Sequence, residues 1–246
     1  MISRRFLLAA MLSGVASGIP AAWAGVDNPL RQRRSRREEV PDVAEFHRQD
    51  GRRGFVLDRT DDIWLLQPLD EEEVLALFPQ RAPNGGTSFN TDWGDEIVRI
   101  SSIGAVTYYP DDQPNGVIAE MWEPARSIQL PDASVDDLRE ASAQSALQLA
   151  SIMGRPVQVE YGAAPREGLG LMVDAMRLAV TGIERARTMG AELDFLQRLK
   201  IAPGEMAELG IVDDLFTVRV NLQAGFAGRP SSTRISRYLT AYETPS

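Results

Sequence analysis

Apolar positions in the first half of the chain come in short bursts. Phe55-Val56-Leu57, Ile63-Trp64-Leu65-Leu66 and Val74-Leu75-Ala76-Leu77-Phe78 are separated by charged or turn-forming residues, which is the pattern of brief strands. Asn84-Gly85-Gly86 supplies a turn, because glycine enters positive φ without a Cβ clash. Phe89 ends a strand before Asp92-Trp93-Gly94-Asp95, and Ile97, Val98, Ile100 and Ile103 flank a further turn. Gly104-Ala105-Val106-Thr107-Tyr108-Tyr109 is then rich in strand-forming residues. Residues 55–109 therefore predict an antiparallel region of five or six strands. Asp111, Asp112, Pro114, Asn115 and Gly116 turn the chain toward Val117-Ile118.

The period changes in the second half. Ser134 with Asp137 approximates a capping box, and Leu138, Ala141, Ser145, Leu149 and Ile152 recur at spacings of three and four, as one helical face requires. Gly154 and Pro156 end that helix, and residues 156–161 alternate as a strand. Leu169, Met172, Val173, Met176, Ala179, Val180 and Ile183 form a stronger helical stripe, whose methionines read as core filler. Short helices are expected at 195–199 and 205–209. Phe216, Val218, Val220 and Leu222 alternate with Thr217, Arg219 and Asn221 as a second late strand. The expected class is α+β in one compact domain: a β-rich amino-terminal half, then helices with two further strands.

Composition narrows the chemistry. The 246 residues include 35 acidic against 26 basic side chains, no cysteine and a single histidine. Thiolate nucleophiles, disulfides and cysteine-based zinc or iron–sulfur sites are excluded, and no metal or cofactor is expected. A net charge of -9 argues against nucleic acid as partner, because phosphate seeks concentrated positive charge. No dinucleotide, phosphate-loop, zinc-protease or nucleophile-elbow motif can be written from the sequence. A serine triad would have to recruit His47, which is read as a surface residue.

The amino terminus carries the clearest signal. Arg4 and Arg5 precede an uncharged apolar run from Phe6 to Ile19, and Ala22-Trp23-Ala24 supplies a small-x-small cleavage site. The expected organisation is a signal peptide at 1–24, a flexible arginine-rich lead-in at 25–53 and a globular domain at 54–246. A soluble product in the periplasm or outside the cell follows. Ser3-Arg4-Arg5-Phe6-Leu7 also resembles a twin-arginine signal, which usually has one more residue between the arginine pair and the Phe-Leu. Arg31, Arg33, Arg34, Arg36 and Arg37 offer a linker able to make transient contact with an anionic membrane surface.

Two groups of candidate site residues remain. Asp92, Asp95 and Glu96 surround a turn beside Trp93, and paired carboxylates can hydrolyse saccharides if one stays protonated; turn formation explains the same residues. Asp111 and Asp112 suit calcium or, equally, an ordinary turn. Gly225-Phe226-Ala227-Gly228-Arg229-Pro230-Ser231-Ser232-Thr233-Arg234 combines arginines and hydroxyls at an expected helix start. Arg229, Ser231, Ser232 and Arg234, joined by Arg219, are candidates to hold a small anion; the alternative is a serine-capped helix with solvated arginines.

Gly54-Phe55-Val56-Leu57-Asp58-Arg59, Glu73-Val74-Leu75-Ala76-Leu77, Asp95-Glu96-Ile97-Val98-Arg99-Ile100, Gly104-Ala105-Val106-Thr107 and Gly228-Arg229-Pro230-Ser231-Ser232 together resemble an uncharacterised family of exported proteins from Gram-negative bacteria. The resemblance implies export and a shared architecture from about Phe55 to Leu239, and carries no chemistry. Two functions stay open. One is a non-catalytic cell-envelope protein binding a small anion, a glycan or a protein partner. The other is a carboxylate-based hydrolase acting on envelope polysaccharide or peptidoglycan.

Overall fold

The computed structural model describes residues 41–83 and 85–242, all within one compact unit spanning Val40–Ser246. The expected signal segment, the arginine run at 31–37 and Asn84 of the expected turn lie outside the described residues.

Eight strands follow one another as antiparallel neighbours: β1 (Val43–Arg48), β2 (Phe55–Asp58), β3 (Trp64–Pro68), β4 (Leu75–Arg81), β5 (Thr87–Asn90), β6 (Glu96–Ile100), β7 (Val106–Tyr108) and β8 (Val117–Pro124). Six of them fill the window 55–109, as its pattern predicts. β1 pairs with β8 as well as β2, so the sheet closes into a barrel and leaves no open edge. The barrel thus takes in Val43–Arg48, inside the segment expected to be a lead-in. Glu45, His47 and Arg48 interrupt the apolar run of β1 and disguise it. His47 accordingly sits on a firm strand, its ring stacked on Trp122 at 4.5 Å and its Nε2 2.7 Å from Glu45.

Alternate residues fill the barrel, as expected for eight strands, whose bore is just wide enough for side chains. Phe46, Phe55, Leu57, Leu66, Leu77, Phe89 and Val98 are buried there. Phe46 stacks on Phe55 at 5.2 Å, Phe55 meets Tyr108 at 4.5 Å, and Trp64 stacks on Phe89 at 4.1 Å. Asp58, 2% exposed at one barrel end, accepts from the Thr60 amide and hydroxyl, the Ser127 hydroxyl and the Ile128 amide. These bonds fasten the segment leaving β8 to the barrel.

Helix α1 (Val135–Met153) starts at the predicted capping box: the Asp137 amide donates to the Ser134 hydroxyl, and the Ser134 amide donates back to the Asp137 carboxylate. It ends at Gly154 in the left-handed conformation, again as predicted. Strand β9 (Gln158–Tyr161), helix α2 (Leu169–Thr188), strands β10 (Arg198–Pro203), β11 (Glu208–Val212) and β12 (Leu215–Val220), and helix α3 (Ser232–Ala241) complete the chain. The second sheet runs β11-β12-β10-β9; β9, β10 and β12 are parallel and β11 antiparallel to β12. Most of α2 is buried against the sheet, α1 and α3, in a core that includes Leu171, Met172, Met176, Ile183, Leu199, Ile201, Phe216 and Val218.

The protein is therefore α+β, one compact domain, with four late strands where two were expected. Both short helices expected at 195–199 and 205–209 are absent as such: those stretches lead into β10 and β11. Phe195, Leu196 and Leu199 imitate helical spacing, but Leu199 and Ile201 alternate into the core of a central strand.

Candidate functional site

The candidate residues converge where the barrel meets α2 and α3. α3 crosses α2 closely at Gly182, where an added Cβ would fall 2.5 Å from Ile235 and 2.9 Å from the Ser232 carbonyl oxygen. The α3 amino terminus is thereby set beside the β3–β4 and β5–β6 loops. On the barrel side, Gly94 at φ +95° tightens the β5–β6 turn, and its carbonyl accepts from the Asn90 side-chain amide Nδ2 at 2.9 Å. Asp92 and Asp95 are carried on that turn.

The Ser231 amide and hydroxyl donate to the two oxygens of Asp92 at 2.9 and 2.7 Å. The Ser232 amide donates to Glu73 at 2.9 Å, and its hydroxyl donates to the other Glu73 oxygen. Ser231 also caps α3 by accepting from the Arg234 amide at 3.0 Å. Free amides and the helix dipole make such a terminus an anion site. Here carboxylates of the barrel take that place. Arg229 behaves alike: only 3% exposed, it donates to the buried Asp174 and, at 2.9 Å, to the Val74 carbonyl. Arg234 approaches Asp92 at 3.7 Å and donates to the Ala207 carbonyl at 3.2 Å.

The anion-binding candidates Arg229, Ser231, Ser232 and Arg234 are thus brought together, with their donors engaged by this chain's own acceptors. The expected solvated arginines are corrected for Arg229. Arg219 does not join them; it faces Glu208 across the β11–β12 pairing at 3.5 Å. The three candidate carboxylates are also committed: Asp92 to Ser231, Asp95 to Arg237 at 2.6 Å, and Glu96 to Arg99. Burial favours the neutral form of Glu96, but hydrogen bonds from Arg99 and Ser88 and the Arg99 charge outweigh it and hold its carboxyl below the usual range.

Beside this seam a cleft of about 600 Å³ opens between the barrel and the two helices. Leu75, Ile97, Tyr108 and Tyr109 line it from the barrel, Thr181, Glu184 and Arg185 from α2, Met189 from just past its end, and Thr233, Ser236 and Arg237 from α3; Glu71, Glu73, Asp95 and Asp111 add carboxylates. Tyr108 is only 6% exposed, and its hydroxyl has no hydrogen-bond partner among the described residues. Burial, then the charges of Glu71 and Asp70, push its phenol well above the usual range. Glu71 is also pushed up, chiefly by burial; Arg185 opposes this from 3.7 Å, while Glu73, Asp111 and Asp70 reinforce it.

Sequence reasoning missed Glu71, Glu73, Tyr108 and Asp174. Asp70-Glu71-Glu72-Glu73 reads as a solvated charge run, yet Glu71 faces Arg185, Glu72 binds Arg177 and Glu73 binds Ser232. Asp174 interrupts the apolar stripe of α2, the one local sign of a buried partner. Among the described residues, no group of three or more acidic or histidine side chains is placed to hold a metal ion. No helix among them is long and apolar enough to cross a membrane.

No curated protein and no solved structure matches the chain. Residues 25–239 match the family model described as a domain of unknown function, DUF4908, and the chain belongs to that family.

Proposed function

We propose that the protein is a non-catalytic, soluble component of the cell envelope that binds a glycan in the cleft between the barrel and helices α2 and α3. The cleft's lining is the observation that carries this reading. Tyrosine rings, threonine and serine hydroxyls and carboxylates over an apolar floor suit the alternating apolar faces and hydroxyl edges of a sugar. A small anion is less well served, because the α3 terminus is already filled by Asp92 and Glu73. Export rests on Arg4, Arg5 and the apolar run with its Ala22-Trp23-Ala24 site, with periplasm or exterior as destination. The Arg31–Arg37 run adds a means of brief contact with anionic lipid.

One observation favours the hydrolase alternative, with a different acid from those expected. Asp92, Asp95 and Glu96 have close internal partners, whereas Glu71, half exposed to the cleft and 3.7 Å from Arg185, has its carboxyl pushed above the usual range, the direction a general acid needs. Calorimetric titration with soluble peptidoglycan fragments and other envelope oligosaccharides, with chromatography of the same mixtures, tests both readings. Saturable binding with intact sugars supports the binding protein. Shortened products lost in Glu71→Gln support the hydrolase, and no heat with any oligosaccharide overturns both.

A further inference from the structure

We propose that the ligand of this cleft carries an ammonium group, seated between Glu71, Tyr108 and Asp111. This deepens the glycan reading and rests on it: the preferred class becomes saccharides with an unblocked amine.

Two independent observations point there. The first is an unused polar group. Tyr108 is 94% buried by the fold, lines the cleft, and offers a hydroxyl that bonds to nothing in the protein among the described residues. Among the described residues no buried side-chain nitrogen or oxygen lacks a partner, so this hydroxyl is open to the cleft, where a solute can take the place of water as its partner. The second is uncompensated charge around it. Asp111 and Glu184 line the cleft without an ion pair among the described residues. Glu71 has only Arg185, at 3.7 Å, and that guanidinium already donates to the Ser232 and Thr233 hydroxyls at 2.8 and 3.2 Å.

An anion would add to this negative field, and a neutral hydroxyl would leave it uncompensated. An ammonium has three donors, enough for two carboxylates and the phenol oxygen, and each would be a charge-assisted bond. Glu71's upward shift agrees, because part of it comes from the neighbouring carboxylates Glu73, Asp111 and Asp70.

The test compares two probes on the full chain by calorimetry near pH 6: the trimer of glucosamine, with free amines, and the trimer of N-acetylglucosamine, whose amines are blocked. The amine trimer is expected to bind about tenfold or more tighter, the worth of one charge-assisted hydrogen bond. Tyr108→Phe and Asp111→Asn should each remove most of that difference. The first deletes a hydroxyl with no internal partner and the second lies at the exposed rim, so both variants should keep the parent's melting temperature. Equal binding of the two trimers overturns the ammonium and leaves the glycan reading intact. Binding of neither overturns the ammonium, and the titration with peptidoglycan fragments and other envelope oligosaccharides then decides the glycan reading by itself.

Discussion

The polar seam and the adjoining cleft are built from the same residue types and end in opposite states. In the seam, Glu73, Asp92 and Asp174 each accept from a backbone amide, a hydroxyl or a guanidinium, with donors from α3 and the turn before it and, for Asp174, also from Arg177 of α2. In the cleft, among the described residues, Glu71 has one long ion pair, and Asp111, Glu184 and the Tyr108 hydroxyl have none. Charge and hydroxyl content alone do not separate a structural joint from a site. Satisfaction does: a saturated network locks two layers together, and an unsaturated one alongside it is free to recognise something else.

The sharpest way to break the contrast is to cut the seam. Asp174→Ala strands the buried Arg229, and chemical denaturation should show a loss of about 3–5 kcal/mol; Arg229→Ala leaves Asp174 its bond from Arg177 and should cost less, about 1–3 kcal/mol. If either variant matched the parent, the seam would not be what fastens the layers. Asp92→Ala, which removes two acceptors at the start of α3, should cost about 2 kcal/mol by the same measurement.

Acid should act in opposite directions on Asp58, the saturated carboxylate at the barrel end, and on Glu71 of the cleft. Burial of Asp58 works against its charge, but hydrogen bonds from Ser127, Thr60 and Ile128 prevail and hold its folded pKa below the ordinary 3.8. Its stabilisation is therefore complete above that value and is lost as pH falls through the folded pKa. Glu71 has the reverse sign: its folded pKa lies above the ordinary 4.5, so stability declines as pH rises from there through the folded value. Melting curves across pH 3–7 should be less acid-sensitive in Asp58→Asn than in the parent. Glu71→Gln should equal or slightly exceed the parent at neutral pH; a clear loss there would show that Glu71 belongs to the seam. Tyr108→Phe should change stability least, within about 0.5 kcal/mol, since its hydroxyl bonds to none of the described residues.

Much of the fold is legible where the deciding contacts are local. Ser134 and Asp137 are three residues apart and announce α1 without help from the rest of the chain. Phe216, Val218 and Val220 show the alternation of β12 directly. Closure of the barrel is not legible, since Phe46 meets Met121 and nothing near Val43 signals it. The site follows the same rule. An anion-seeking terminus can be read from Arg229-Pro230-Ser231-Ser232, but the identity of its anions cannot, because Ser232 and Glu73 are 159 positions apart. Asp70-Glu71-Glu72-Glu73 has no period that separates a solvated loop from one set against α2 and α3.

Closure of β1 on β8 also orders events in time. Every strand of the barrel lies before Ala125, so during synthesis its last strand emerges ahead of α1, α2 and α3. The loops bearing Glu73 and Asp92 are then in place before Ser231 and Ser232 are made. The final helix arrives at a prepared berth, and its docking is a late, long-range step whose rate should register the charge of those two carboxylates.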